Sequence, residues 1–369
     1  MEEAQGSHFA RELRQQPGAI RASLKAARDG WREIAAAGEV DRALIVGSGD
    51  SFFLAHAVVP AFEALAGVAA EGVEAYDFVT SRLEAVSERT LVVGVSASGK
   101  AVWTLQGVEA AARRGALTVG VTNNAEGPLA ATARVALTTR GGTSYSFPTK
   151  TTTTAAALLA GLAATMGRAR GRLSADAHRG ALYDLEHALP AAIQAVLRPP
   201  TTERLAEAAV GLASQEHLIF VGSGAARAAA LVGAAKMHET VRRHALAVNA
   251  EEFLHLIGFA SGVADGVVVI APTGAAERER QVAEYAARQG ARVVSLVRSG
   301  LADAWEDGLA VPLSTDDLSP WSGALAAMAA LHVYAERLSR LAGTNPDRPD
   351  TVDLDYVLGL LYTAPLEGW

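Results

Sequence analysis

The sequence contains no cysteine, and this absence removes several kinds of chemistry at once. Without a thiol among its 369 residues, the chain can form no disulfide, no thiolate nucleophile and no cysteine-ligated metal site. Long apolar runs are missing as well, since the longest, near residues 155–164 and 324–331, are alanine-rich and shorter than a membrane span. The polar N-terminal residues include no apolar signal core, so we predict a cytoplasmic protein that contacts no membrane.

Positive charge is in deficit. The chain has 33 Lys and Arg residues against 40 Asp and Glu, a formal net charge of -7, and no basic stripe occurs. This balance argues against nucleic acid as a partner. Apolar material is plentiful, because 50% of the residues are hydrophobic, which is an ordinary globular composition. The length predicts about two domains, each large enough to bury a core.

Short apolar runs that alternate with helical patterns predict the fold class. Runs that end in Ser- and Gly-rich turns predict buried strands at residues 43–46, 91–95, 116–121, 135–138 and 218–221. Strands alternating with helices predict an α/β fold with doubly wound, mainly parallel sheets, in the three-layer arrangement of flavodoxin-like and Rossmann-like domains. We predict N-terminal helices broken at Pro17, and a helical stretch over residues 172–215 with breaks at Pro190 and Pro199.

The second half of the chain repeats the first. LIVGSGDSFFLAHAVV at residue 44 is similar to LIFVGSGAARAAALVG at residue 218, and three pairs of turn glycines lie 175 residues apart: Gly47 and Gly222, Gly99 and Gly274, Gly115 and Gly290. One offset shared by three turns predicts a tandem duplication of one α/β unit. We divide the chain into N-terminal helices (1–38), a first domain (39–195), a second domain (196–345) and a C-terminal tail (346–369).

Hydroxyl groups are concentrated in the turns of the first copy. In parallel sheets, ligands bind at the carboxyl ends of strands, where these turns lie. The candidate ligand-binding residues there are Ser48, Gly49, Asp50, Ser51, Ser96, Ala97, Ser98 and Lys100. Backbone amides and hydroxyls at a strand-to-helix turn can hold an anion such as phosphate, although the same residues also form ordinary caps and turns. Lys100 either reaches the phosphate or stays solvated, and Asp50 either caps its helix or binds a sugar hydroxyl.

The second copy carries charged residues in apolar surroundings. Lys236 and Glu239 are three residues apart and share a helix face, so they form either a structural ion pair or part of an acid–base site. Glu252 and His255 repeat this spacing, and histidine titrates near neutral pH, although a lone histidine is more often a core or surface residue. Because the hydroxyls belong to the first copy and these charges to the second, we predict a site built from both halves, with neither metal nor cofactor.

Six motifs carry a resemblance to the double sugar-isomerase (SIS) domain family, most closely to the isomerase half of glucosamine-6-phosphate synthase without its glutaminase domain. They are LRQQPGAIRASL at 13–24, GSGDSF at 47–52, SASGKA at 96–101, PTKTTTT at 148–154, GAAKMHET at 233–240 and AEEFLHLIG at 250–258. The resemblance implies that the serine turns hold a sugar phosphate. Thr149 in the fourth motif and Glu252 in the sixth complete the substrate-binding candidates.

The same resemblance implies catalytic roles. Glu239 matches the family's base, which moves a proton between C1 and C2 of an open-chain sugar, and Lys236 assists at the hydroxyls. His255 matches a ring-opening histidine that the family takes from the neighbouring subunit, which implies a homodimer with shared active sites. We therefore expect an aldose–ketose isomerase or an amino-sugar-phosphate deaminase/isomerase. The alternatives are a non-catalytic phosphosugar sensor and an isomerase-like protein for a non-phosphorylated sugar.

The sequence departs from the family pattern at several positions. Ala101 replaces a threonine, Pro148 a serine and Leu256 a glycine. The family's tail carries a lysine that reaches the substrate carbonyl, but Asp350 and Leu354 stand near the places of its arginine and lysine, and no lysine occurs after Lys236. We therefore expect no glutamine-dependent amidotransferase activity.

Overall fold

The computed structural model describes residues 7–145, 147–274, 276–348 and 353–362, which contain two five-stranded sheets. The first sheet consists of β1 (Arg42–Gly47), β2 (Ala69–Glu74), β3 (Thr90–Val95), β4 (Leu117–Thr122) and β5 (Val135–Thr138). The second consists of β6 (His217–Gly222), β7 (Ala245–Val248), β8 (Asp265–Ala271), β9 (Arg292–Arg298) and β10 (Leu309–Leu313). All paired strands are parallel.

Helices flank these sheets and confirm the predicted α/β class. In the first half they are α1 (His8–Ala26), α2 (Arg28–Ala36), α3 (Asp50–Phe53), α4 (Ala55–Ala61), α5 (Ala75–Asp77), α6 (Val102–Arg113), α7 (Pro128–Thr132), α8 (Lys150–Ala169), α9 (Ala175–Tyr183) and α10 (Leu189–Val196). In the second half they are α11 (Thr201–Leu212), α12 (Ala226–Lys236), α13 (Ala250–His255), α14 (Glu277–Arg288), α15 (Pro320–Ala342) and α16 (Leu354–Tyr362). No helix of the described ranges has the length and apolar character that crossing a membrane requires.

The two copies have the same topology, which confirms the tandem repeat. The strand order is β2-β1-β3-β4-β5 in one sheet and β7-β6-β8-β9-β10 in the other, so each strand of the second copy has the same neighbours as its counterpart. Strand β6 and helix α14 begin 175 residues after β1 and α6. Each copy also has a π-helical turn at the same place, Phe62–Ala66 in the first and Met237–Val241 in the second. Each turn ends at a left-handed residue, Gly67 or Arg242.

One hydrophobic core joins the two copies. In β1, Ala43 and Ile45 face this central core, whereas Leu44 and Val46 face a separate cluster on the other side of the sheet. The second sheet has the same arrangement, since Phe220 in β6 faces the central core and its neighbours face a third cluster. Alternate residues of a strand point to opposite faces, so both faces of each sheet are buried. The inner layer of helices, mainly α1, α4, α8, α12 and α15, belongs to both units.

The predicted helix break at Pro17 is wrong, because α1 continues through this residue. A proline inside a helix leaves the carbonyl four residues earlier without its backbone donor. Here that carbonyl belongs to Leu13, and the Gln16 side-chain amide Nε2 donates a hydrogen bond to it at 3.3 Å. Pro190 also causes no break, since it lies in the first turn of α10 directly after a π-helical turn. The break near Pro199 is confirmed between α10 and α11.

The chain after α15 is tied back to the first helix. The Asp347 carboxylate accepts hydrogen bonds from the backbone N–H groups of His8 at 2.8 Å and Phe9 at 2.6 Å. Leu354, which stands near the family's tail lysine, begins the exposed helix α16. Asp350 lies outside the described residues.

Candidate functional site

The serine turns of the first copy lie where β1 and β3 end, as predicted. After β1, the Ser48 hydroxyl donates a hydrogen bond to Glu74 Oε1 at 2.6 Å. After β3, Ser96 Oγ accepts from the backbone N–H of Ala101 at 3.4 Å and lies 3.5 Å from Ser98 Oγ. Ala101 is the N-cap of α6 and provides no capping side chain, so the N-terminus of this helix can receive an anion from outside.

A small cavity adjoins these turns. It has a volume of about 30 Å³, and Ser51, Ala97, Thr122, Pro148 and Thr152 are among its lining residues. Its lining combines hydroxyl groups with apolar walls, and a space of this size holds only about one or two water molecules. Lys100 is exposed beside the turn, and its backbone N–H donates to Ser98 Oγ at 3.2 Å.

A buried cluster of three charged side chains joins the copies. Lys236 ends α12, and its Nζ donates to Asp50 Oδ2 at 2.8 Å and to Glu239 Oε2 at 2.5 Å. The side chains of Lys236 and Asp50 are 0% and 5% exposed, whereas that of Glu239 is 26% exposed. The predicted meeting of the two halves therefore occurs, and Glu239 is the member of this triad that solvent or a ligand can reach.

The electrostatics of the triad suit proton transfer. Burial raises the pKa of Glu239 to about 7, although the nearby Lys236 ammonium acts in the opposite direction. Burial alone would lower the pKa of Lys236, but the charges of Asp50 and Glu239 outweigh it and raise the pKa. Lys236 therefore stays protonated, while Glu239 changes charge near neutral pH, which is the range in which a general base is effective.

Asp50 does not cap α3, so that interpretation is wrong. The N-cap is Gly49, which makes no side-chain hydrogen bond to the helix. The Asp50 carboxylate instead accepts hydrogen bonds from Lys236 and from Thr152 Oγ1, the latter at 3.1 Å. Its second oxygen, Oδ1, is buried with no hydrogen-bond partner among the described residues. The structure thus gives this carboxylate a partner that the sequence did not predict.

The segment before α8 is held by α1. Glu12 accepts hydrogen bonds from the Ser144 hydroxyl at 2.6 Å and from the backbone N–H of Tyr145 at 2.7 Å. Lys150, which is buried, donates to Gln15 Oε1 at 2.6 Å. Thr149, one of the predicted ligands, is fully buried, and its hydroxyl has no partner in the described parts of the chain. The sequence did not identify these contacts of Glu12, because nothing in the motif spacing links α1 to this segment.

Glu252 and His255 lie apart from the triad on α13. Glu252 forms a capping box with Asn249 and an ion pair with Arg227 at 2.7 Å, so its carboxylate has structural partners. The His255 side chain is 78% exposed, and its Nε2 lies 3.1 Å from Glu251 on the same helix. On this chain His255 therefore faces solvent, and its role in a neighbouring subunit stays a prediction. Within the described ranges, no three His, Asp or Glu residues are grouped so as to hold a metal ion.

Comparison with protein families gives one match in each copy. A model of the SIS domain matches residues 39–165 and 211–337. Among curated proteins, glutamine–fructose-6-phosphate aminotransferase (isomerizing) of Thermococcus kodakarensis is 28% identical over 355 residues, which cover 94% of this chain and 58% of the relative. The enzyme of the same name from Gloeobacter violaceus is 29% identical over 357 residues, 93% of this chain and 57% of the relative. The chain thus spans little more than half the length of these relatives.

Solved structures show the same fold. The C-terminal domain of glucosamine-fructose-6-phosphate aminotransferase from Francisella tularensis superposes with a TM-score of 0.84 at 18% identity, covering 95% of this chain and 100% of that one. Tagatose-6-phosphate ketose/aldose isomerase from Escherichia coli gives a TM-score of 0.78 at 19% identity, with 95% and 98% covered. Glucosamine-6-phosphate deaminase from Thermotoga maritima gives 0.71 at 20% identity, with 94% and 98% covered.

Proposed function

The chain belongs to the SIS domain family, and from this premise we propose that it is a phosphosugar isomerase, either an aldose–ketose isomerase or a deaminase/isomerase of amino-sugar phosphates. The observation that carries the proposal is the partly exposed carboxylate of Glu239, whose pKa burial raises to about 7. Removal of a proton from carbon next to a carbonyl needs a base that is ionised near neutral pH and open to the substrate. The aminotransferases named above act on fructose 6-phosphate by name, which supports a hexose phosphate.

In this proposal Glu239 performs the proton transfer. Its carboxylate removes the proton from C2 of the open-chain aldose and returns it to C1, while the proton of the C2 hydroxyl moves to the oxygen on C1. The carbonyl thereby moves from C1 to C2, and no atom is gained or lost. The Lys236 ammonium, 2.5 Å from the base, is itself buried and holds the Glu239 carboxylate in position for the transfer.

The serine turns anchor the phosphate. The hydroxyls of Ser96 and Ser98 lie together at the uncapped N-terminus of α6, where backbone amides and the helix dipole favour an anion. Anchoring one end of the substrate holds the reacting carbons against the base and converts an encounter into a positioned reaction. We include in the proposal that the protein is a cytoplasmic homodimer. In this dimer His255 opens the sugar ring in the active site of the partner subunit.

The test is exchange of the C2 proton with solvent deuterium across a panel of hexose and amino-hexose phosphates. Glu239→Gln keeps the shape of the side chain but removes the base, so we expect a loss of about 10²- to 10⁴-fold in exchange and turnover. The control is Glu63→Gln, an exposed glutamate in the matching π-helical turn of the first copy, which should retain full activity. Full turnover by Glu239→Gln on a substrate of the wild type would contradict the proposal.

A phosphosugar sensor is the second candidate, and the tail favours it. No lysine follows Lys236, and α16 has no buried residue. A sensor binds a phosphosugar but does not exchange its C2 proton, so a ligand that raises the melting temperature without exchange would favour this candidate over the enzyme.

A third candidate is an isomerase-like protein for a non-phosphorylated sugar. Glu74 favours it, because its carboxylate accepts a hydrogen bond from the Ser48 hydroxyl and would repel a phosphate at this turn. Equal binding of a hexose and its phosphate would support it.

A further inference from the structure

Asp50 is the member of the buried triad whose part in the reaction the proposed function does not explain. It comes from the first copy, whereas Lys236 and Glu239 come from the second. The repeat offset shows that each member is specific to its own copy: the position matching Asp50 is Ala225, and those matching Lys236 and Glu239 are Ala61 and Ala64. In each matched pair of positions, one copy therefore has a charged residue and the other has alanine. The three charged side chains meet between the copies.

The geometry makes Asp50 a competitor of Glu239 for the same cation. Lys236 Nζ lies 2.8 Å from Asp50 Oδ2 and 2.5 Å from Glu239 Oε2, so one ammonium serves two carboxylates. An ammonium has three donors, and two of them are committed to this pair. Two negative charges facing one positive charge leave the triad with an excess negative charge when all three groups are ionised. A proton taken up by the most exposed carboxylate, Glu239, relieves this excess.

We propose that Asp50 is a positioning residue for the base: it holds Lys236 in place and takes up part of its charge, so that Glu239 keeps the proton affinity of a working base. This inference rests on the proposed function for its chemistry, but not for its measurement. Without Asp50, the whole charge of Lys236 would act on Glu239. The carboxylate would then be ionised at lower pH and would be a weaker acceptor for a carbon-bound proton.

Among the described residues, no carboxylate besides Asp50 and Glu239 acts on the charges of the triad. Thr152 fixes the same oxygen of Asp50 with a neutral hydrogen bond at 3.1 Å. On α15, which packs against α12, His332 is buried, and burial together with the Lys236 charge lowers its pKa well below the usual value, so it is neutral. Arg242, at the end of the π-helical turn, acts on Glu239 and lowers its pKa. Asp50 is thus the charged group that raises the pKa of Glu239, against the two cations Lys236 and Arg242, which lower it.

The experiment removes the charge of Asp50 without enlarging its side chain, in the variants Asp50→Asn and Asp50→Ser. The ionisation of Glu239 is followed in the ligand-free protein by infrared difference spectra of the protonated carboxyl band, which is identified as the band that Glu239→Gln lacks. We expect both neutral variants to move this titration to lower pH by roughly one unit or more, the usual effect of a cation that is no longer shared. Asp77→Asn, an exposed aspartate of the first copy, should leave the titration where it is.

Catalysis supplies a second reading on any phosphosugar that the wild type converts. The acidic limb of the kcat/KM profile, which reports the free enzyme, should shift with the infrared titration. At neutral pH kcat should fall at least tenfold while KM changes little, since Asp50 does not hold the phosphate in the proposed function. If the neutral variants fold but the acidic limb of the pH profile and the infrared titration of Glu239 do not change, the proposal is overturned. Failure of both variants to fold, judged by thermal melting, would assign Asp50 to the fold alone and would overturn it equally. If no phosphosugar is converted, the proposed function fails while the infrared titration still decides the role of Asp50.

Discussion

Lys236 and Asp50 belong to different copies of the repeat, yet their charged atoms lie 2.8 Å apart and both side chains are buried. Removing one member of a buried ion pair leaves an uncompensated charge and costs about 3–5 kcal/mol, whereas removing both members together costs far less. We expect Lys236→Met to lower the free energy of unfolding by about that amount, and the double variant Lys236→Met/Asp50→Asn to recover a large part of it.

Urea denaturation measures these free energies. Lys25→Met, an exposed lysine on α1, is the control and should change stability by about 0.5 kcal/mol or less. A double variant as unstable as the sum of its single variants would show that Lys236 and Asp50 are not energetically coupled.

The dependence of catalysis on pH follows from Glu239. Burial raises its pKa to about 7, and a general base acts only when it is ionised. We therefore expect kcat/KM, which reports the free enzyme, to be low at acid pH and to rise tenfold per pH unit until it levels off above about 7. The measurement is the initial rate at phosphosugar concentrations well below KM, between mildly acid and mildly alkaline pH. A rate independent of pH through this range would assign the base to another group.

His332 predicts how stability changes with pH. It is fully buried, neither ring nitrogen has a partner among the described residues, and burial lowers its pKa well below the usual value. The folded protein keeps this ring neutral, whereas the unfolded chain takes up a proton below about pH 6.5. The wild type should therefore lose stability as the pH falls below that value, because the unfolded state binds more protons.

The variant His332→Leu removes this proton linkage. Between pH 6.5 and 5 we expect its free energy of unfolding to fall by roughly 1–2 kcal/mol less than that of the wild type. His187→Leu, at an exposed site, should retain the pH dependence of the wild type. Parallel stability curves for His332→Leu and the wild type would mean that His332 takes up its proton inside the fold.

The serine turns should determine the preference for phosphate. Ser96 and Ser98 have adjacent hydroxyls at the start of α6, and a hydrogen bond to a charged group is worth about 1.5–3 kcal/mol. Ser96→Ala and Ser98→Ala should each weaken hexose-phosphate binding about tenfold or more, with little effect on the free hexose. Isothermal titration measures both ligands, and Ser81→Ala, at an exposed site, is the control. An equal loss for both ligands would place the phosphate elsewhere.

The sequence was sufficient for the repeat and for the central strands β1, β3, β4 and β6. All four are buried on both faces, and β1, β3 and β6 each contain a continuous apolar run that ends at a glycine or hydroxyl turn, whereas Thr118 interrupts the run in β4. The edge strands β2 and β7 were not predicted. Their residues are largely half-buried or exposed, and such short segments lack both a continuous apolar run and a clear alternation. With β2 unpredicted, Glu74 and its contact with Ser48 could not be predicted either.

The site was predicted in part. The spacing of Lys236 and Glu239 predicted their contact, because positions three apart on a helix are neighbours. Their pairing with Asp50 could not be derived, since it depends on how two copies pack across an interface that no local pattern describes. The helix through Pro17 was missed for a similar reason: proline propensity predicts a break, but the Gln16 side chain supplies a hydrogen bond in place of the missing backbone donor.

Arg242, whose backbone is left-handed, joins the turn that carries Glu239 to the segment that precedes α8. The first copy has Gly67 at this position, whereas the second keeps a side chain at a φ of 61°, at a cost of roughly 1–2 kcal/mol. The guanidinium carbon of Arg242 lies 5.6 Å from the centroid of the Phe147 ring, a cation–π distance. Phe147 precedes Pro148, which lines the cavity. The turn that carries the base and the wall of the cavity are therefore in direct contact through Arg242 and Phe147.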